Sequence, residues 1–314
     1  MLLFGEKEVF IMYDIIIVGG GPAGLTAAVY GLRAGKTVLV IEKNGFGGQI
    51  AYSPKVENIP GTITISGSEF ADKLTEQAMN LGADVELENV VAVENRGDVK
   101  VVTTEEGSAY EGKTVILAVG VKHRMLGLPG EQELVGKGLS FCAVCDGAFY
   151  AGQDTVMIGG GNSALQEALL LSEVCRKVTV VQNLAFFTGE KKLADALTAK
   201  ENVEVLFSHT VTGYTQADGM LTGVEVKSES GDAKTIPADG VFLAVGLVPE
   251  NGAFADLARL DERGYFAAGE SCATETPGIF VAGDCRSKQI RQVTTAAGDG
   301  AVAAMAACRY LDQC

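Results

Sequence analysis

Two stretches of this chain spell the same glycine-hinged unit, and that repetition restricts the fold more than any other feature. Residues 13–42 run as an apolar segment (YDIIIVG), a glycine turn (GGPAG), a helical pattern (LTAAVYGLRAG) and a second apolar segment (TVLVIE). Residues 154–182 repeat the order as DTVMIG, GGNSA, LQEALLLSEVCRK and VTVVQ. The offsets agree as well: Glu42 follows Gly19 by 23 residues, and Gln182 follows Gly159 by 23. Short apolar runs flanking a helical period predict a βαβ unit with parallel strands. A further echo closes each copy, ILAVGV at 116–121 and FLAVGL at 242–247.

The fold class that follows is α/β, with two Rossmann-like (three-layer ββα) dinucleotide-binding domains. After the second copy come another apolar segment, TPGIFVAGD, and an alanine-rich helix expected from about Ile290 to Leu311. That tail is too short for a third domain and is expected to return to the first. The second domain, residues 120–246, is then inserted into a discontinuous first domain of residues 1–119 and 247–314. Two crossings close together, near Gly120 and Gly246, make a hinge.

Bulk properties exclude several function classes. A length of 314 residues suits two domains. No apolar run reaches the ~18 residues of a membrane-spanning helix, so a soluble protein is expected. Residues 1–10 lack the basic start and small-residue cleavage site of a secretion signal, and read as an extension or an upstream start. A net charge of −15 and a pI near 4.6 repel phosphate backbones and anionic lipid heads, which disfavours nucleic-acid and membrane partners. Seven cysteines, an odd number without a signal, argue for a reducing cytoplasm rather than a disulfide framework. With only His123 and His209, a histidine-rich zinc site or a Ser-His-Asp triad lacks material.

Gly19, Gly21 and Gly24 form GxGxxG between strand and helix, the context that gives this motif meaning. The first glycine makes the turn, the second admits a pyrophosphate against the backbone, and the third lets helix and strand pack closely. Glu42, at the end of the second strand, suits ribose hydroxyls and repels a 2′-phosphate, pointing to FAD or NAD. The distant Gly283-Asp284, a strand-end carboxylate suited to a ribityl chain, favours FAD.

Cys142 and Cys145 have the spacing of a redox pair, able to close a disulfide or to act as attacking and resolving thiols. A zinc site would need two more soft ligands, and no second C-x-x-C or nearby histidine supplies them, so no metal is expected. Two packed, inert thiols remain an alternative. Asp146 favours chemistry, because a carboxyl beside the pair can exchange protons with a leaving or attacking sulfur. It also suits the cap of a short helix starting there, and the two roles can coexist. Cys175, Cys272, Cys285, Cys308 and Cys314 have no partner by spacing and read as packing or surface residues.

The strings GGGPAG, VENIPG (56–61), CAVCDG (142–147), GGGNSA (159–164) and GDCRSKQIRQVTTAAGDG (283–300) closely resemble the low-molecular-weight bacterial thioredoxin reductases, in order and nearly in spacing. The resemblance covers the chain from Tyr13 to about Asp312. It implies FAD contacts from Gly19, Gly21, Gly24, Glu42, Gly48, Gln49 and Asn58, and from Gly283, Asp284, Arg291, Gln292 and Val293. It assigns Cys145 to the flavin side and Cys142 to attack on the disulfide of thioredoxin or a thioredoxin-like protein. It also implies a domain rotation that carries the pair between flavin and partner, and a homodimer.

The departure lies in the second glycine motif. Gly159, Gly161 and Ala164 have the form expected for a nicotinamide dinucleotide, possible as NADPH or NADH. The resembled family holds the 2′-phosphate with HRRxxxRA after the next strand, whereas this chain has QNLAFFTG at 182–189, without one basic residue. Several charge-assisted hydrogen bonds are lost, each worth roughly 1.5–3 kcal/mol. Lys191 and Lys192 follow and either compensate or are simply solvated. Three donors stay open: NADPH bound weakly, NADH by default, or a protein such as reduced ferredoxin. Ferredoxin-dependent relatives lack the nicotinamide determinants; against that donor stand the intact GGGNSA turn and the chain's own acidity. Competing functions are a dithiol oxidase that passes electrons to oxygen and a redox-sensing flavoprotein.

Overall fold

Strand β1 (Met12–Val18) is apolar from Ile15 to Val18 because there it lies between parallel neighbours in a sheet covered on both faces, while Asp14 near its start pairs with Lys113. The computed structural model describes residues 12–52, 56–141 and 143–313. After β1 come α1 (Pro22–Arg33), β2 (Val38–Glu42), α2 (Gly67–Asn80) and β3 (Asp84–Leu87). A meander follows, β4 (Val90–Arg96), β5 (Val99–Thr104) and β6 (Ala109–Leu117). Pro22 occupies the first turn of α1, where its missing N–H costs nothing and its fixed φ suits the helix. Strand β6 serves two layers: its first half pairs antiparallel with β5, and its run through Leu117 pairs parallel with β1.

The chain divides into two compact units, one formed by Met1–Lys122 with Pro249–Cys314 and the other by His123–Val248. Through the second unit the elements are β7 (Lys122–His123), α3 (Glu131–Leu134), β8 (Leu139–Ser140), α4 (Ala143–Asp146), β9 (Asp154–Ile158), α5 (Asn162–Val174), β10 (Lys177–Val181), α6 (Lys191–Thr198) and β11 (Val203–Leu206). A second meander, β12 (His209–Ala217), β13 (Met220–Ser228) and β14 (Ala233–Pro237), leads to β15 (Gly240–Leu243) and β16 (Leu247–Val248). The parallel sheet is ordered β11-β10-β9-β15-β8. Its side chains alternate: Val156, Ile158, Val241 and Leu243 meet the meander, while Met157, Val178, Val180 and Phe242 meet Leu165, Ala168 and Leu171 of α5.

Back in the first unit, β17 (Ile279–Val281) pairs parallel with β6, and α7 (Val293–Leu311) closes the helical layer. The alternation of the second unit recurs. Ile15 and Ile17 pack against α1 and α7, whereas Ile16 and Val18 face Val102 of the meander, Phe254 and Phe266. Both units are therefore Rossmann-like and three-layered. The last helix begins at Val293, three residues later than its composition suggests, because Gln292 is its N-cap in a capping box with Thr295. Among the described residues no helix is long and apolar enough to cross a membrane.

Candidate functional site

The first glycine turn is shaped as its motif predicts. Gly19 has φ +109°, and a Cβ there would lie 2.3 Å from the Ala118 carbonyl oxygen; one at Gly24 would lie 1.8 Å from that of Gly19. Only glycine fits either position. Gly21 is the N-cap of α1, with Gly48 (φ +61°) close across the turn, so two side-chain-free backbones face each other there. Buried Glu42 accepts hydrogen bonds from the amides of Gly20 (2.7 Å) and Asn44 (3.0 Å). Its carboxylate thus braces the turn from the end of β2. Gln49 donates to the Val121 carbonyl, and Asn58 donates to Gln292 Oε1 at 3.0 Å.

The returning segment supplies a second group of polar atoms in the same unit. Asp284 lies in a short 3-10 turn over Gly283–Cys285, and its Oδ1 is buried with no hydrogen-bond partner. Burial pushes this carboxyl above the usual carboxylate range, against the pull of Lys288 and Arg291. A buried, unpartnered oxygen is a place for a ligand hydroxyl. Arg291 donates from Nε to the Asp284 carbonyl and stacks 4.0 Å from the centre of the Tyr265 ring. Gln292 and Val293 stand at the start of α7, whose positive dipole end they carry. These features fit a dinucleotide with hydroxyl-bearing chains: a glycine cradle for phosphates, a strand-end acid and an orphaned acid. Asp299 was not singled out from the sequence. It accepts from the Gly283 amide (3.1 Å), Arg286 and Lys288, and so holds the turn that presents Asp284.

In the second unit Gly159 (φ +132°) and Gly161 repeat the turn, and Ala164 occupies the third place. A Cβ on Gly159 would lie 2.3 Å from the Ala244 carbonyl oxygen, as one on Gly19 would from that of Ala118, so this turn also requires glycine. The loop after β10 folds onto this turn, with the amides of Thr188 and Gly189 donating to the Gly160 carbonyl at 2.8 and 3.0 Å. Gly47 does the same to Gly20 in the first unit, at 2.7 Å. The strand-end residue, however, behaves differently. Gln182 is 4% exposed and turns inward, its amide donating to the Phe186 carbonyl at 3.0 Å. Leu184 and Phe186 stand at the surface, 40% and 61% exposed. Lys191 pairs with Asp195 one turn along α6.

Between the two glycine turns of the chain lies the C-x-x-C segment. Cys142 is outside the described residues, as are residues 1–11 and Cys314, and of Cys145 the structure describes the backbone. That backbone forms the four-residue helix α4, closed by Asp146 and followed by a 3-10 turn over Gly147–Tyr150. Asp146 stands at the N-cap position of that turn, but its side chain makes no cap hydrogen bond and instead accepts from the Ser140 hydroxyl. The capping role suggested by the sequence is thereby corrected: the Asp146 carboxylate is held by Ser140 on β8 instead. Phe149, in the same turn, is 76% exposed. Its place four residues after Cys145 was visible in the sequence, but its exposure was not. Glu167 on α5 was also missed. Its Oε2 accepts from the Ala143 amide at 3.2 Å, and burial pushes its carboxyl up to about 7.

The remaining described cysteines, Cys175, Cys272, Cys285 and Cys308, are free and buried. Burial raises each thiol, Cys272 to about 11 and Cys285 to about 12, so they stay protonated and inert near neutrality.

Comparison with known proteins converges on one group. The model of the pyridine nucleotide-disulphide oxidoreductase family matches residues 13–300. A thioredoxin reductase of Listeria innocua is 40% identical over 303 residues, covering 96% of this chain and 95% of that protein. Two solved structures are similar throughout. The thioredoxin reductase of Lactococcus lactis aligns with a TM-score of 0.94 at 36% identity, over 96% of this chain and all of that one. That of T. acidophilum gives 0.91 at 35% identity, over 96% and 98%.

Proposed function

The chain belongs to the pyridine nucleotide-disulphide oxidoreductase family, in its low-molecular-weight thioredoxin reductase branch, and is an FAD-dependent disulfide oxidoreductase; from this we propose that Cys142 and Cys145 are its exchanging thiols. The substrate is the disulfide of thioredoxin or a thioredoxin-like protein. FAD supplies a two-electron carrier, held in the first unit by Gly19, Gly21, Gly24, Glu42, Gly48, Gln49, Asn58, Gly283, Asp284, Arg291, Gln292 and Val293. In the exchange the Cys142 thiolate attacks one sulfur of the partner disulfide, and the other sulfur leaves and takes a proton. Cys145 then attacks the Cys142 sulfur, releasing the second partner sulfur and closing the Cys142–Cys145 disulfide. Asp146 is the proton-handling group. The observation that carries this reading is its placement: one residue after Cys145, aimed by Ser140 rather than spent on a helix cap. Phe149, exposed four residues after Cys145, offers the partner an apolar contact. The reading includes a cytoplasmic homodimer that swings on the crossings at Gly120 and Gly246, both with positive φ.

Electron entry departs from the family's NADPH. Gln182, a neutral amide engaged inside the loop, offers the adenosine ribose neither an acid nor a base, and the segment through Gly189 carries no cation for a 2′-phosphate. Lys191 is tied to Asp195. The glycine turn at Gly159, Gly161 and Ala164 keeps the shape to seat a pyrophosphate, so NADH remains a candidate donor. Direct reduction by ferredoxin is the second reading, favoured by exposed Leu184, where a cation of the basic motif would stand, and by exposed Phe186 two residues on. Anaerobic bleaching of the flavin with NADPH, NADH and reduced ferredoxin in turn tests both. NADPH is expected to bind about two to three orders of magnitude more weakly than it binds a relative that keeps the basic motif. Tight, rapid reduction by NADPH sinks this view of the donor site.

A further inference from the structure

We propose that Asn251 is a positioning residue for FAD: its side-chain amide, buried just past the second crossing, pins the turn that carries Asp284 to the segment that carries Tyr265. The inference rests on the reading of Asp284 and Arg291 as FAD contacts.

Asn251 stands at the N-cap of a 3-10 turn over Gly252–Phe254, a place where asparagine ordinarily bonds the amides of the turn ahead. Here its side chain makes no such bond. The residue is 1% exposed, and its Nδ2 donates at 2.9 Å to two carbonyls far along the chain, those of Gly264 and Cys285. Because both partners can only accept, the amide nitrogen must face them. Oδ1 is then left buried, with no donor among the described residues. Burying an acceptor unpaired is unfavourable, so a side chain that served only to fill this space would be apolar. The two donated bonds are what the amide contributes.

Each bond leads to a residue of the cofactor reading. Cys285 follows Asp284 in the 3-10 turn, and its carbonyl also accepts the Phe266 amide at 3.0 Å. Gly264 precedes Tyr265, whose ring lies under the Arg291 guanidinium, and Arg291 in turn donates from Nε to the Asp284 carbonyl at 3.2 Å. The set is closed: from Asn251 through Gly264 and Tyr265 to Arg291, on to Asp284 and Cys285, and back to Asn251. Asp299 holds the opposite end of the same turn through the Gly283 amide. Asn251 thereby sets the positions of Asp284 and Arg291 through the backbone, from the segment that leaves the crossing.

The test is the rate at which FAD leaves the full-length holoprotein, followed as flavin absorbance in the filtrate after dilution and ultrafiltration. Four proteins are compared: wild type, Asn251→Leu, Asp284→Asn and the double variant. Asn251→Leu keeps the volume and removes both donors, and should speed release by about tenfold or more. In the Asp284→Asn background the same change should matter by less than about threefold, because both residues act through one turn. A general loosening of the unit would instead speed release by the same factor in both backgrounds, and that result overturns the inference, as does wild-type release from Asn251→Leu. Unchanged release from Asp284→Asn overturns the reading of Asp284 as an FAD contact and the inference with it. Should Asn251→Leu fail to fold, Asn251→Ser, smaller and limited to one donor, is judged by the same comparison.

Discussion

Asp299 holds together a charged knot that no short motif announces. Its carboxylate takes hydrogen bonds from Arg286 and Lys288, whose side chains are 13% and 8% exposed, and from the Gly283 amide. Burial works against the charged form, but the Arg286 and Lys288 hydrogen bonds and charges prevail and hold the carboxyl below its usual range. Asp299→Asn would strand two buried cations, at a cost of about 3 kcal/mol or more, read from the urea midpoint. The pH dependence has a definite sign. A carboxyl lowered on folding contributes stability above its unfolded value, and that contribution drains away as the pH falls through the lower folded value. The acid limb of a stability profile should therefore flatten in Asp299→Asn. Asp284, two residues before Arg286, was legible from its strand-end position next to a glycine. Asp299 was not, because its partners lie 11 to 16 residues away along the chain.

At the scale of the element, α7 carries two glycines with opposite prospects. Gly300 is buried where the helix crosses α1, and a Cβ there would lie 2.1 Å from the Ala23 carbonyl oxygen, a backbone atom that cannot step aside. Gly298 has open space around it. Gly300→Ala should destabilise the protein by about 1–3 kcal/mol, whereas Gly298→Ala should stabilise it by about 0.5–1 kcal/mol. Thermal or urea unfolding of both holoproteins checks the sign reversal. The alanine-rich composition was enough to announce a closely packed helix, since small residues permit near approach. Its true start depended on the reciprocal hydrogen bonds of Gln292 and Thr295, which reach across from side chain to backbone and leave no periodic trace.

At the scale of the whole molecule, the proposed function passes electrons from a cofactor in one unit to thiols of the other, so a single substitution should separate the two halves of the reaction. Cys142→Ser should lower turnover of a thioredoxin-type disulfide by several orders of magnitude, as removal of a nucleophile does, while leaving the flavin reducible by its donor. Anaerobic flavin bleaching and a coupled disulfide assay measure the two independently. Unchanged disulfide turnover would remove Cys142 from the exchange.

The doubled α/β architecture, the glycine turns, the C-x-x-C spacing of Cys142 and Cys145 and the missing basic cluster were all legible in the sequence. Each is written at short, fixed offsets: a turn that needs positive φ admits glycine, a buried parallel strand must be apolar, and a phosphate site without Arg, Lys or His lacks its charge. The meeting of Glu167 with Ala143, the inward turn of Gln182 and the exposure of Phe149 came only with the folded chain. These depend on which face of a helix packs, and on how two segments up to 24 residues apart come into register. Hydrophobic periodicity sets that a face is buried; the packed neighbours set what a polar atom on it finds there.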